Sequence, residues 1–600
     1  MKSKKRNRWE IVDQGFLSLF TTFSVIELTN RGSTIVDGLF VSNFFGPKSL
    51  ASVGIGICTF SLVGVISGIL SVGMQNGCSH KLGRGDMKGF NRLFSSVFYI
   101  AAAVSLICLA ALVAGAKPLA VLLGASGNGT VLAEGTADYI RGLGLGAPAQ
   151  ILGVILSGAC QLDSDKGRVR QAGMINFVFN IIFDMAAVAL GLGVFGIGLS
   201  TSLARYLQVA YLMLHFTAKD RMLRFTAYGM PLKELGDLLS RGSERALRSL
   251  GKVIAPMIVN RIVLFFGGTI AMSAFSVQKD FIGFFEIFAT GLADATALQS
   301  GVYYGEMNPE TLRATGKSAH RSSYIIMGVA GALMVILAWP IAGLYIKEQG
   351  ELFNMVAFAA VMTGLYGVAN GLVQSRIAYL NAIKRTRKMQ IMTFLSSVVY
   401  TVICANTLGK LFGSYGLMGT DLMRVCLLML TVWIYTMIRR RKSRLTPEDY
   451  MDLPEDFELR PGDLISLDIC NEEEVSLASE QLGLFCRGHH IDEKTGMTAS
   501  LCVEELAGNI ISHGFPKCRK TPSIDMRVVF RDGVLVVRLR DNCPMFNVEH
   551  YIAREISDTE EDGELRLGLR IIRGLAADIS YVHSLDTNNV ILRFPVQSGG

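Results

Sequence analysis

Arg439-Arg-Arg-Lys-Ser-Arg444 divides the chain into two parts of different character. Upstream, one apolar stretch after another is long enough to cross a bilayer; downstream, the sequence becomes polar and acidic, and alternating strands replace long apolar runs. Five cations in six residues at the end of the last apolar stretch act as a stop on the cytoplasmic side. The spacing divides the chain into a membrane domain over 1–444, with lobes over about 10–217 and 245–440, a polar linker over 445–461 and a soluble domain over 462–600.

Composition sets the same bounds. Half of the 600 residues are hydrophobic and 63 are glycine, which exceeds what a soluble chain of mixed charge carries and suits close-packed membrane helices. The net charge of +8 conceals an asymmetry: residues 445–600 carry roughly −13, leaving roughly +21 for the rest. The positive-inside rule explains that balance better than nucleic acid does, so no nucleic-acid partner is expected. The 11 cysteines are scattered with no CxxC pair and read as small reduced core residues. The basic N-terminus, Lys2 to Arg8, precedes a long apolar stretch without a cleavage pattern, so a retained first helix is expected.

Spans centre on 16–42, 50–78, 92–116, 134–160, 169–190, 194–216, 248–274, 278–302, 322–346, 354–382, 389–410 and 415–438. That predicts an all-α polytopic domain of twelve helices. Segments 81–92, 163–170, 218–252, 306–321 and 383–390 are rich in Lys and Arg, whereas the turns near Gly46, Ser126, Gly191, Ser276 and Gly409 are nearly free of them. Both termini and the soluble domain are therefore expected in the cytoplasm of an integral cell-membrane protein. The halves repeat: Gly73 and Gly83 recur as Gly291 and Gly301, Gly193-Val-Phe195-Gly196-Ile197 recurs as Gly413-Ser-Tyr415-Gly416-Leu417, and Arg205 recurs as Arg424. Two six-helix repeats in the same orientation imply two lobes with a cleft between them.

Asp37-Gly-Leu-Phe-Val-Ser-Asn-Phe-Phe-Gly46, Leu50-Ala-Ser-Val-Gly-Ile and Ser71-Val-Gly with Lys81-Leu-Gly83-Arg-Gly-Asp86 together resemble the multidrug and toxic compound extrusion (MATE) antiporters. Carboxylates buried in hydrocarbon are functional-site candidates by their cost alone, which singles out Asp37 and Asp184. Asn180 and Asp184, four residues apart, share one helix face. Asp37 is alternatively a solvated cap, and Asp184 with Asn180 an interhelical hydrogen-bond staple. The resemblance implies that Asp37, Asn180, Asp184 and Thr201 form a cation site in the first lobe, coupling H⁺ or Na⁺ to export of small, organic-cationic substrates. Glu27 and Arg31 read as a mutually neutralising pair. Asp280 reads as interfacial, Glu286 and Asp294 have no assigned role, and His80 reads as a surface residue.

In the soluble part, 472–488 and 496–513 read as amphipathic helices, 524–530 and 534–540 as a hairpin around Arg531-Asp-Gly533, 567–577 as a helix, and 579–583 and 589–594 as strands: an α/β (α+β) fold with helices on one face of a mostly antiparallel sheet. The order resembles the GHKL (Bergerat-type) ATPases, especially the serine kinases that act as anti-sigma factors. Glu505-Leu-Ala-Gly-Asn509 matches the motif in which Glu505 is the catalytic group and Asn509 the Mg²⁺ ligand. Asp541 matches the adenine-binding carboxylate, and Gly563 and Gly568 the phosphate-facing glycine turn. ATP and Mg²⁺ are thus the implied cofactors, and a cytoplasmic protein, phosphorylated or sequestered, the implied partner. Cys543 stands where a glycine is usual, and Glu564 and Arg566 interrupt the turn, which supports nucleotide binding more than turnover.

Gly316-Lys-Ser318 is a Walker-like fragment with Thr311 at the first glycine position and no preceding strand, which disfavours an ATP-driven pump. Two readings remain: a MATE-like antiporter with an ATP-binding regulatory or serine-kinase module, or a transporter-derived receptor signalling through that module.

Overall fold

The computed structural model describes residues 2–125, 130–217, 222–227, 232–346, 349–442, 444, 446, 450–453, 457, 462–518, 522–531, 533–545, 578–584 and 587–596. Gly563, Gly568 and the expected helix over 567–577 lie outside them.

The internal repeat is written into the backbone as left-handed residues at corresponding turns. Gly85, Ser164, Met307 and Lys384 have φ of 72°, 58°, 55° and 62°. The first two follow the Gly46–Gly83 and Ala147–Leu162 helices, and the last two follow the Leu232–Gly305 and Glu351–Ala382 helices. In three of these turns the next residue caps the following helix. Asp86 accepts from Gly89 N at 2.8 Å, Asp165 from Arg168 N at 3.4 Å, and Asn308 from Glu310 N and Thr311 N at 3.2 and 3.3 Å. Gly193 and Gly413, matched in sequence, share a positive φ, 60° and 59°, a region that an L side chain enters only with strain.

Several boundaries differ from expectation. Residues 218–252 were expected to form a loop, but the chain is helical from Leu232, and 306–321 contains the Pro309–Ser322 helix, which also holds Gly316-Lys-Ser318. No break occurs near Ser276; it falls at Gly268, where φ is 63° and ψ −157°. Hydropathy alone placed the turn at the more polar residues, whereas the backbone turns where a glycine permits positive φ. Eight helices among the described residues are long and apolar enough to cross a membrane, or nine if the bent Ala133–Leu145 and Ala147–Leu162 pair is one span.

The lobes meet where repeat glycines remove side chains. A Cβ on Gly83 would lie 2.0 Å from the Val302 carbonyl oxygen, and one on Gly301 2.0 Å from Ser79 Oγ. His80, read from sequence as a surface residue, is buried at this crossing, with Nε2 bonded to the Ala382 carbonyl and its ring 5.1 Å from Tyr304. Glu27 and Arg31 pair at 3.0 Å, and Asp280 is exposed.

The soluble domain is a five-stranded antiparallel sheet in the order β1-β2-β3-β5-β4: β1 Leu464–Ile469, β2 Ile524–Arg531, β3 Val534–Asp541, β4 Asp578–Ser584 and β5 Thr587–Pro595. β1, an edge strand, falls within a stretch the sequence reading assigned to no element. The Glu472–Gly488 and Glu493–Asn509 helices cover one face, where Leu482, Val503 and Leu506 pack with Leu535, Val537 and Leu539. The opposite face rests on the membrane part: Val582 of β4 belongs to the same buried cluster as Leu82 and Val302. The linker docks as well. Tyr379 OH donates to the Met451 carbonyl at 2.9 Å, Asp452 is gripped by Lys388 and Arg439, and Phe457 stacks on Tyr304 at 5.0 Å.

Candidate functional site

Three helices bring the four predicted polar residues of the first lobe together. Asp37 comes from the Lys2–Phe44 helix, Asn180 and Asp184 from Lys166–Ala189, and Thr201 from Gly193–Met213. All are buried, Asp184 completely. Thr201 Oγ1 donates to Asp37 Oδ2 at 3.0 Å and accepts from Asn180 Nδ2 at 3.4 Å. Asp37 Oδ1, Asn180 Oδ1 and both Asp184 oxygens are buried without a hydrogen-bond donor. Four such oxygens are expensive in a dry interior unless a proton or a hard cation supplies the missing partner.

Two residues that sequence reading did not assign to the site act on it electrostatically: Arg205, one turn beyond Thr201, on Asp37, and the buried Tyr139, which faces the fields of Asp37 and Asp184. The recurrence of Arg205 as Arg424 was the available signal. Between the second lobe and Arg31 of the first, a cavity of about 310 Å³ is lined by Arg31, Lys279, Glu286, Tyr366, Asp421 and Arg424. There Arg424 pairs with Asp421 at 3.0 Å, and Glu286 accepts from Asn370 Nδ2 at 3.3 Å. Glu286, without a role from sequence, thus lines a charged cavity.

In the soluble domain, the i,i+4 spacing places Glu505 and Asn509 in contact, with Asn509 Nδ2 donating to Glu505 Oε1 at 3.0 Å. That bond directs the amide nitrogen to Glu505 and leaves the carbonyl oxygen, a hard donor, available to a cation. Among the described residues no three His, Cys, Asp or Glu side chains converge on a metal position. A Mg²⁺ at this position would take the Asn509 oxygen together with nucleotide phosphate oxygens as ligands. A π-helical turn, Ile510–Gly514, follows directly.

Asp541 ends β3 on the face that carries the helices. Its Oδ1 accepts from Cys543 N at 2.9 Å and Asn588 Nδ2 at 2.8 Å, and Asn588 Oδ1 accepts from Tyr581 OH at 2.7 Å. Burial pushes the Asp541 carboxyl above the usual range against the pull of those donors. Burial, with the Asp541 charge added, pushes the Cys543 thiol up too, so the residue replacing the usual glycine behaves as a small core group. Asn588 and Tyr581 escaped the sequence reading because nothing local marks a strand asparagine as the orienting partner of a carboxylate 47 positions away.

Two pseudo-repeated helical lobes, the first holding buried carboxylates without donors, and a helix-covered sheet docked on them define the class of a multi-pass membrane transporter with an added α/β domain. The chain belongs to the MatE family: the family model matches residues 24–186 and 246–406, once in each half. A histidine kinase-like ATPase domain model matches residues 471–594, so the soluble part is an ATP-binding domain of GHKL type. The chain is 25% identical over 354 residues to a probable multidrug resistance protein NorM of Pseudomonas putida, covering 56% of this chain and 73% of that protein. Its fold is similar to an outward-facing multidrug resistance MATE family transporter of the MOP superfamily (TM-score 0.65, 21% identity, 71% of this chain and 96% of that one). It is also similar to a MOP superfamily transporter from Pyrococcus furiosus described by the reverse polarity of its binding pocket (TM-score 0.65, 20% identity, 72% and 95%).

Proposed function

We propose that this protein is a cation-coupled antiporter that exports small organic cations, using H⁺ or Na⁺ at Asp37, Asn180, Asp184 and Thr201, with both termini and the ATP-binding domain in the cytoplasm. The observation that carries the reading is the set of four buried oxygens lacking donors at Asp37, Asn180 and Asp184. A structural staple would satisfy its own oxygens, whereas a site that exchanges cation for substrate leaves them for the ion. The basic loops lie at the end where the soluble domain docks, which supports the cytoplasmic assignment.

In the soluble domain, Asp541 receives adenine, Asn509 holds Mg²⁺, Gly563 and Gly568 face phosphate, and Glu505 activates the group attacked in any phosphotransfer to a protein partner. The docking of this domain on both lobes favours regulation of transport and also gives a receptor reading a physical route, since ligand in the bundle would be felt by the sheet. Efflux of a fluorescent cationic dye from proteoliposomes, driven by a pH or Na⁺ gradient, tests the proposal. Gradient-driven efflux lost in Asp37→Asn supports the antiporter; no flux from folded protein, with dye-dependent nucleotide affinity, replaces it with the receptor.

A further inference from the structure

A sheet covered by helices on one side ordinarily shows water its other side. Here the other side carries Arg527 of β2, Arg538 and Arg540 of β3, and Arg593 of β5, with Arg527 and Arg540 only 5% and 6% exposed. Arginine is seldom buried so fully without partners. The partners come from both lobes. Arg593 donates to the Arg84 carbonyl of the first lobe, while Arg527 Nη2 donates to the Met307 carbonyl of the second at 2.6 Å. Arg540 pairs with Glu306, whose side chain is 4% exposed. Arg538 alone holds both lobes, with Nη2 on the Gly83 carbonyl at 2.7 Å and Nη1 on Glu306 Oε2 at 3.1 Å.

These contacts surround the place where the lobes touch, Gly83 against Val302 and Gly305. In a transporter of repeated lobes, access alternates as one lobe rocks against the other. Opening this end carries Gly83 away from Glu306, so Arg538 must release one of them. We propose that the outer face of the sheet is a clamp fitted to this chain's own two lobes, which holds the Gly83–Val302 crossing shut and keeps the transporter open only at the opposite end. The proposal rests on the transporter reading for its consequence in flux, but the clamp itself is a geometric claim.

The strand also links clamp and nucleotide position. Arg540 and Asp541 are consecutive on β3 and point to opposite faces. Asn589 Oδ1 accepts from Arg540 Nε at 2.8 Å while Asn588 donates to Asp541 at 2.8 Å, so ligand at Asp541 acts on the rung of the β3–β5 ladder next to the one that holds Glu306.

The test uses the intact chain in lipid nanodiscs, with spin labels attached through a non-cysteine chemistry at Lys88 and Arg387, exposed residues of the first and second lobes at this end. The wild type is expected to give one short distance. Glu306→Gln, and separately Arg538→Gln with Arg540→Gln, are expected to raise a longer-distance population about tenfold or more. Glu306→Arg combined with Arg538→Glu and Arg540→Glu is expected to restore the short distance. If the arginine variant no longer binds nucleotide, Glu306→Gln decides, because it leaves the soluble domain unaltered. An unchanged distance distribution in Glu306→Gln overturns the clamp. Absence of dye efflux from the wild type and from the released Glu306→Gln variant alike, with the distances behaving as expected, overturns the transporter reading and leaves the clamp standing.

Discussion

Thr201 Oγ1 donates to Asp37 Oδ2 at 3.0 Å, joining two helices 164 positions apart in sequence through a single hydroxyl proton. The hydroxyl gives its proton to Oδ2, and Asp37 Oδ1 and both Asp184 oxygens have no donor within bonding distance. Asp37→Asn and Asp184→Asn are therefore expected to reduce gradient-driven dye efflux at least about tenfold while leaving the fold intact. Thr201→Ala is expected to do less, since it removes two side-chain hydrogen bonds, each worth about 1 kcal/mol, and neither charge. Initial efflux rates at a fixed gradient distinguish the three, and a wild-type rate in Asp184→Asn would falsify its assignment to the cation site.

Nucleotide binding separates into an adenine part and a metal part. Asp541→Ala removes a buried acceptor held by two donors, and ATP affinity of the intact chain is expected to fall about 10- to 100-fold. Asn509→Ala removes the side-chain oxygen proposed to hold Mg²⁺, so ATP affinity is expected to become the same in Mg²⁺ and in a chelator. Calorimetric titration under both conditions reads each effect. A Mg²⁺ dependence that survives in Asn509→Ala would assign the metal to phosphate oxygens and other groups.

Much of this arrangement was legible in the residues, for identifiable reasons. The Glu472–Gly488 helix and the β2–β3 hairpin agree with the pattern because amphipathic period and a Gly533 turn at φ 74° both point the same way. The cluster of Asp37, Asn180, Asp184 and Thr201 was accessible through the price of buried polar groups and the family resemblance. β1 was not, because a six-residue edge strand beside a polar linker has too little periodicity to stand out. The arginines of the sheet were present in sequence as ordinary solvent-facing alternation. Only the tertiary position of Glu306, 221 residues from Arg527, turns that alternation into an interface.

Asp452 ties the linker to the membrane part through Lys388 and Arg439. Burial would raise its carboxyl, but the hydrogen bonds from those two cations more than reverse this and hold it below its ordinary 3.8. A carboxyl depressed in the folded state contributes stability above its ordinary value and loses it as pH falls through the folded value. Linker docking is accordingly expected to persist from neutral pH down to about 4 and to loosen below that. Asp452→Asn is expected to mimic the loss at neutral pH, leaving two cations facing an amide. Limited proteolysis between residues 442 and 462 provides the readout: faster cleavage in Asp452→Asn at pH 7, with the wild type converging on it only in acid.

Gly83 and Gly413 should respond differently to alanine, although both are repeat glycines. At Gly413 the added Cβ meets nothing within 4 Å, so the cost is backbone strain at φ 59° and ψ −140°, about 1–3 kcal/mol. At Gly83 the Cβ would lie 2.0 Å from the Val302 carbonyl oxygen and 2.9 Å from Gly305 Cα, backbone atoms that cannot rotate away. Relief there requires the two helices to separate. Gly413→Ala is therefore expected to lower Tm modestly and leave the Lys88–Arg387 distance unchanged, whereas Gly83→Ala is expected to lengthen it even with the arginines of the sheet intact. A Gly83→Ala variant with the wild-type distance would mean that the lobes tolerate a side chain at this crossing, and the glycine pairing would then have no part in sealing it.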